Sequence, residues 1–388
     1  MPFTVYLLAF TIFSVTTSEF LVAGMMPSLA AAFDVPVDQI GYLISLYAAG
    51  MVLGGPLLTV GLLRLRAPNK TSLLYLLGFY AVAQAAAAMA TCYDTLAIAR
   101  TVTGVAGSAC FGVALAICAE QVAVQARGRA ASIVIGGLML ATVLGVPLAT
   151  LVDQHWGWRA SFWLVVALTL GCAAIIGRRV PSTRTAGALS LAAELAAFSN
   201  RHLWAAYMTS GLIIGATFAA FSYFTPILTQ VTGLPLEAMP WLLAAYGAAN
   251  VLGNTLVGRY ADRYSLPIML GGLIVLSLTL VLFALFAHSA AISLTALLAI
   301  GLVGVPMNPA MIARVMATAH PGALVNTVHT SVINAGLGVG AWLGGVGIAT
   351  GHGLRSPLWV GAALAALGLI SLLPYLTRRP AGAQQGTP

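Results

Sequence analysis

The chain is 388 residues long, 60% hydrophobic and only 7% charged, with a formal net charge of +8. A soluble domain carries about 25% charged residues, so the composition excludes a water-exposed globular fold and points to an all-α integral membrane protein. Twelve apolar runs follow one another, each close to the roughly 20 residues with which a helix rising 1.5 Å per residue crosses about 30 Å of hydrocarbon. They cover 4–28, 39–63, 71–91, 95–117, 131–152, 160–177, 203–229, 239–258, 266–287, 291–313, 324–349 and 357–377.

The first run, "VYLLAFTIFSVTTSEFLVAGMMPSL", lacks a basic leader and reads as a retained span rather than a signal peptide. Within it lies one acid, Glu19, and the fourth span carries one base, Arg100. Charges inside spans are rare, because each costs about 2.5 to 3.5 kcal/mol at a helix centre. Glu19 is about nine residues from the outer end of its span and Arg100 about five from the outer end of its own. Their depths differ by roughly 6 Å, within reach of a snorkelling arginine, so the spacing permits a pair.

With the N-terminus in the cytoplasm, the inner loops and tail hold Arg64, Arg66, Lys70, Arg127, Arg129, Arg178, Arg179, Arg184, Arg201, Arg259, Arg263, Arg314, Arg378 and Arg379. The outer loops hold Arg159 and Arg355. Cytoplasmic loops retain the Lys/Arg excess, so both termini are expected inside, and the positive charge needs no nucleic-acid partner. Heavy use of Arg and Ala over Lys suggests a GC-rich bacterium, hence its inner (plasma) membrane. Asp153 falls beside Arg159 in an expected outer loop, and Glu120 is expected to pair with Arg127 or Arg129. The four cysteines form no CxxC or Cys/His cluster and read as packing residues, with no metal or cofactor expected.

The longest connection, "RRVPSTRTAGALSLAAELAAFSNRH", divides the chain into a six-span bundle at 1–177, a cytoplasmic linker at 178–202 and a second bundle at 203–388 with a short tail. The "LSLAAELAAF" in its middle has the spacing of a helix lying on the membrane surface. The halves repeat each other. In the fifth span Gly137, Ala141, Gly145 and Ala149 recur every four residues, and Gly336, Gly340 and Gly344 do so in the eleventh. Small residues at this spacing let helix backbones approach closely. Pro147, in the middle of the fifth span, removes a backbone donor and is expected to kink it. Two pseudo-symmetric six-helix halves suit alternating access, in which rocking one half against the other moves a midplane site between the two faces.

Four stretches resemble one family. "GGLMLATVLGVPLATLVDQHWGWRASFW" is similar to the antiporter signature of the major facilitator superfamily, carried here by Gly137, Gly145 and Pro147, although Ala149 stands where that signature often has Gly. "ARTVTGVAG" resembles its Arg-x-x-x-Gly motif, with Arg100 as the charged member. The expected loop "RYADRY" resembles its cytoplasmic gate, at Gly258, Asp262 and Arg263, while the first-half copy has Thr59 and Val60 in place of the Asp and Arg. "NTVHTSVINAGLGVGAWLGG" is similar to the eleventh span of the family's drug:proton antiporters, among them the bacterial exporters of chloramphenicol and of sugars. The resemblance covers nearly the whole chain. It implies a major facilitator fold in which the first and fourth helices are neighbours on a central cavity.

On that reading Glu19 and Arg100 form the proton-coupling pair. Desolvation disfavours a charged carboxylate and a nearby arginine favours it, so a change in water access between two states binds and releases a proton. The static alternative is an ion pair that only joins two helices. Substrate contacts are expected from Phe218, Phe221, Tyr223 and Phe224 on the seventh span, Tyr246 and Asn250 on the eighth, Asn308 on the tenth, and Asn326, His329 and Asn334 on the eleventh. Such a cavity suits a small amphipathic molecule, neutral or weakly polar, and the lack of intramembrane charge in the second half argues against a strongly anionic one. The expectation is a monomeric, proton-driven antibiotic exporter, with chloramphenicol the leading cargo and sugars, nucleosides or other metabolites the alternative. An intramembrane enzyme is disfavoured, since the spans contain no HExxH, no GxSxG and no paired acids.

Overall fold

The computed structural model describes residues 1–65, 68–123, 126–181, 197–318 and 323–376. No strand occurs among the described residues. Helix α1 (Phe3–Gly24) ends under the influence of Pro27, which has no N–H to donate and whose ring crowds the carbonyl four residues back, that of Ala23. The chain bends at Met25 and resumes as α2 (Met26–Phe33). Three long helices follow, α3 (Val37–Leu65), α4 (Asn69–Ala88) and α5 (Tyr93–Glu120). The kink expected at Pro147 takes the form of a π-helical turn, Ala141–Gly145, between α6 (Arg127–Leu140) and α7 (Val146–Trp156). A widened turn is a known way to fit a proline ring into a helix. Helix α8 (Trp158–Arg179) completes the first half.

The second half begins with α9 (Arg201–Phe221). Its span was expected to run on to residue 229, but the helix breaks at Ser222 and Tyr223, because Pro226 acts on the Ser222 carbonyl as Pro27 does on that of Ala23. Spans eight and nine are two helical arms joined across a kink, together α10 (Met239–Phe286), of 48 residues. At 1.5 Å per residue it is about 72 Å long, enough to cross the bilayer twice around a bend at Tyr264, where φ is −127° and ψ 33°. Gly258, Asp262 and Arg263 are therefore helical and exposed, not in a loop. Polar side chains alone give a backbone no reason to leave the helix. Helices α11 (Ala290–Val303), α12 (Asn308–Thr318), α13 (Ala323–Gly347) and α14 (Ser356–Leu376) complete twelve passes. The expected surface helix in the linker lies, up to residue 196, outside the described residues, as do the side chains of Thr59, Val60 and Arg64.

The two small-residue stripes do equivalent jobs. A Cβ on Gly137 would strike the Ala9 carbonyl of α1, and one on Gly145 the Thr17 hydroxyl. Gly336 and Gly340 lie in the same way against Gly211 and Gly215 of α9. Each half thus seats its fifth span on its first by backbone approach, which in lipid replaces the missing hydrophobic drive between helices. Large apolar side chains such as Leu57 and Val82, both 70% exposed, face outward.

The halves meet at the end away from the termini. The Tyr223 hydroxyl fits a notch between Gly41 of α3 and Gly345 of α13, donating to the Ala341 carbonyl at 2.9 Å. Gly247 of α10 rests on the backbone of Thr142 and Val143. Gln154 Nε2 donates to the Leu236 carbonyl at 2.7 Å, and Thr225 Oγ1 to the Ala23 carbonyl at 2.8 Å. At the termini end, Arg127, Gly128 and Arg129 of α6 and Gly258, Arg259 and Tyr260 of α10 are exposed. Between the two ends a small cleft lies between the halves.

Candidate functional site

Helix α1 is apolar in composition yet carries Thr16, Thr17, Ser18 and Glu19 in succession, all buried. Arg100 of α5, fully buried, grips this stretch. Its Nη1 donates to the Ser18 carbonyl at 2.7 Å and to Ser18 Oγ at 3.1 Å, and its Nη2 to the Glu19 carbonyl at 3.1 Å. Ser18 Oγ in turn donates to Gln84 Oε1 at 2.9 Å. The guanidinium also lies 4.2 Å from the centre of the Tyr47 ring, a favourable cation–π distance. Tyr47 reaches it because α3 and α5 touch through Gly50, Gly54 and Gly104, where any side chain would meet backbone.

Glu19 and Arg100 therefore come together, but through the main chain. Among the described residues no ion pair joins the carboxylate to the guanidinium. Arg100 is a fixed positive centre held by neutral oxygens and a ring face, which leaves the Glu19 carboxyl uncommitted.

The next residue, Phe20, faces the cleft. Its ring stacks on Phe218 at 5.5 Å and meets Phe221 edge-on at 6.0 Å. Phe221 stacks on Tyr246 at 5.0 Å. Leu138, Met139 and Thr142 from the first half, with Asn250 and Val305 from the second, complete the lining. Three buried polar atoms here, Tyr246 Oη, Asn250 Oδ1 and Asn250 Nδ2, make no well-formed hydrogen bond, although the Tyr246 and Asn250 side chains interact with each other. Buried polar groups are ordinarily hydrogen-bonded, since leaving one unmade is costly. The void that these residues line between the halves has a volume of about 20 Å³.

Four expected cavity residues, Phe218, Phe221, Tyr246 and Asn250, thus come together. Phe224 lies behind them, edge-on to Tyr246 at 5.6 Å. Tyr223 is in the notch that joins the halves. Asn308 begins α12, with its Oδ1 unpartnered. Nearer the termini end of α13, His329 Nε2 is 2.9 Å from Ser210 Oγ and its ring stacks on Tyr207, while Asn326 is half-buried and Asn334 buried.

Two charged residues differ from expectation. Asp153 is buried inside α7 and accepts from Ser28 Oγ at 2.7 Å, because the helix continues past the apolar run. Arg314 is buried inside α12 rather than in an inner loop, for the same reason. The second half therefore does contain a buried charge. Glu120 accepts from Asn69 Nδ2 at 2.5 Å, and Arg127 Nε donates to the Ala119 carbonyl at 3.1 Å. Sequence reasoning passed over Phe20, although it adjoins Glu19 in "SEF". It also missed Gln84, a lone amide in an alanine-rich run.

Two six-helix halves around a cleft with this lining define a multi-pass membrane transporter of small molecules. The chain belongs to the major facilitator superfamily, whose sequence model matches residues 8–329 and 237–388. Members of this family are transporters rather than enzymes. The chain is 33% identical to the "Chloramphenicol resistance protein" of Streptomyces lividans, covering 97% of each. It is 30% identical to the "Inner membrane transport protein YdhP" of Escherichia coli (96% of each) and 25% identical to a "Probable sugar efflux transporter" of Pasteurella multocida (92% of this chain, 88% of that one). Among solved structures, a bacterial homolog of the human lysosomal transporter Spinster, in an inward-facing and occupied conformation, matches with a TM-score of 0.76 at 14% identity over 95% of each chain.

Proposed function

We propose that the protein is a proton-coupled exporter of small, neutral, amphipathic antibiotics, with chloramphenicol the leading cargo. It works as a monomer in a bacterial plasma membrane, both termini cytoplasmic, with bundles 1–177 and 203–388 rocking about the linker 178–202. The observation that carries this reading is the adjacency of Glu19 and Phe20: a buried acid without an ion pair directly precedes a residue on the aromatic cleft. Cargo in the cleft and a proton on Glu19 then share one stretch of α1, which couples them. Thr142, in the π turn ahead of Pro147, lines the same cleft, so flexing at the antiporter stripe reshapes it. The name of the Streptomyces relative supports the phenicol assignment.

The buried polar atoms of Tyr246 and Asn250 favour one alternative, a hydroxylated metabolite such as a sugar or nucleoside. The deciding experiment is growth of a pump-deficient bacterium carrying this chain on a drug panel, with and without a protonophore. Protection against phenicols that the protonophore abolishes is the expected result. No protection against any drug favours the metabolite exporter.

A further inference from the structure

Arg314 plays no part in the cleft, yet it is only 4% exposed. It lies in the last turns of α12 and points to α9 and α14. Its Nη1 donates to Thr209 Oγ1 at 2.9 Å, and the guanidinium stands 4.8 Å from the centre of the Tyr375 ring. Nη2 has no partner, and among the described residues no carboxylate pairs with the group. A buried guanidinium without a counter-anion is costly to maintain. Around it are further polar groups: Thr209 Oγ1, which donates to the Ala205 carbonyl, is 2.8 Å from Ser371 Oγ, and His202 Nδ1 is 3.1 Å from Tyr375 Oη.

The seam between α9 and α14 also carries exposed apolar side chains. Trp204 and Met208 on α9, and Ile370 and Leu373 on α14, are each at least 50% exposed and flank the polar cluster. The cluster lies where α9 begins and α14 ends, the level of a headgroup. Arg201 is exposed beside it.

We propose that this seam binds a phosphate-bearing anion, the headgroup of an anionic phospholipid, with Arg314 as its principal donor. Arginine offers paired N–H groups that match phosphate oxygens, and basic pockets between membrane helices recognise anionic headgroups in this way. The acyl chains lie along Met208, Ile370 and Leu373. The inference does not depend on which cargo the cleft carries.

The test uses the full chain, purified in detergent, with phosphatidylglycerol, phosphatidylcholine or inorganic phosphate added. Lipid retention is read by native mass spectrometry and unfolding by thermal melt. Phosphatidylglycerol should be retained at least about fivefold more than phosphatidylcholine and should raise the melting temperature. Arg314→Gln should abolish both effects. Arg314→Lys, which keeps the charge but loses the paired donors, should retain part of the binding and covers the case in which the glutamine variant does not fold. Unchanged phosphatidylglycerol retention in either folded variant overturns the proposal. Equal stabilisation by inorganic phosphate alone assigns the site to a soluble anion and overturns the lipid headgroup.

Discussion

The Thr225 hydroxyl reaches across the boundary between the halves to the Ala23 carbonyl, at 2.8 Å. That carbonyl is open to it because Pro27, four residues on, has no N–H to give. A defect in one helix is thus repaired by a side chain of the other half. The bond should hold as long as this end stays closed.

Removing the clasp is the simplest test of it. Thr225→Val keeps the shape but leaves the Ala23 carbonyl buried and unpaired, at a cost of about 1 to 3 kcal/mol. The melting temperature should fall, and Thr225→Ser should restore much of it. A valine variant as stable as the parent would show that closure does not rest on this contact.

Glu19→Gln should insert and fold normally yet no longer exchange protons. In everted vesicles, drug addition should release protons from the parent chain but not from the variant. Full drug-driven proton release from Glu19→Gln would sink the coupling role.

Tyr246→Phe and Asn250→Leu remove polar groups that make no well-formed hydrogen bond in the protein. Replacing an unsatisfied polar group is close to neutral for stability or mildly favourable, so melting temperatures should hold or rise. Drug affinity should fall about five- to tenfold, the equivalent of roughly 1 to 1.4 kcal/mol. The opposite split, lost stability with intact affinity, would make the two residues structural.

Neighbouring glycines separate packing from propensity. A Cβ at Gly137 collides with the Ala9 carbonyl, whereas one at Gly136 meets nothing within 4 Å. Gly136→Ala should be tolerated and gain up to about 1 kcal/mol in helix propensity, while Gly137→Ala should sharply lower the yield of monodisperse protein. Equal behaviour of the two in size-exclusion chromatography would refute the α1–α6 contact.

Cys92 reports on orientation. Exposed in the turn between α4 and α5, its thiol lies 3.1 Å from the Thr95 hydroxyl, and this hydrogen bond lowers its pKa from the usual value. The thiolate is the reactive form, so maleimide labelling should plateau at a lower pH than for an ordinary thiol, and Thr95→Val should move the midpoint upward. A membrane-impermeant maleimide should label Cys92 in intact cells. Labelling only after permeabilisation would place the termini outside.

The spans, the two halves and the packing stripes were legible because each rests on a local property, such as apolar run length or small residues every four positions. Glu19 and Arg100 were found because a charge in hydrocarbon is conspicuous. How they meet was hidden, since a guanidinium donates to any nearby oxygen and the Ser18 and Glu19 carbonyls are the ones it reaches. Arg314 and Asp153 were misplaced for the opposite reason: a charge at the edge of an apolar run reads as a loop, although a helix does not stop where hydropathy does. The Tyr223 notch needs Gly41 and Gly345, 304 positions apart in the chain, and no local pattern links them.

The elbow in α10 has a mechanical result. Its first arm carries Tyr246 and Asn250 on the cleft, while its second carries Gly272 against Met307 and Leu273 against Gly368 of α14. One backbone joins the arms through the elbow at Tyr264. Because the backbone leaves the helical conformation at that residue, a tilt of the arm on the cleft need not carry the arm packed on α14 with it, and the rim of the second half can stay in place while its centre moves.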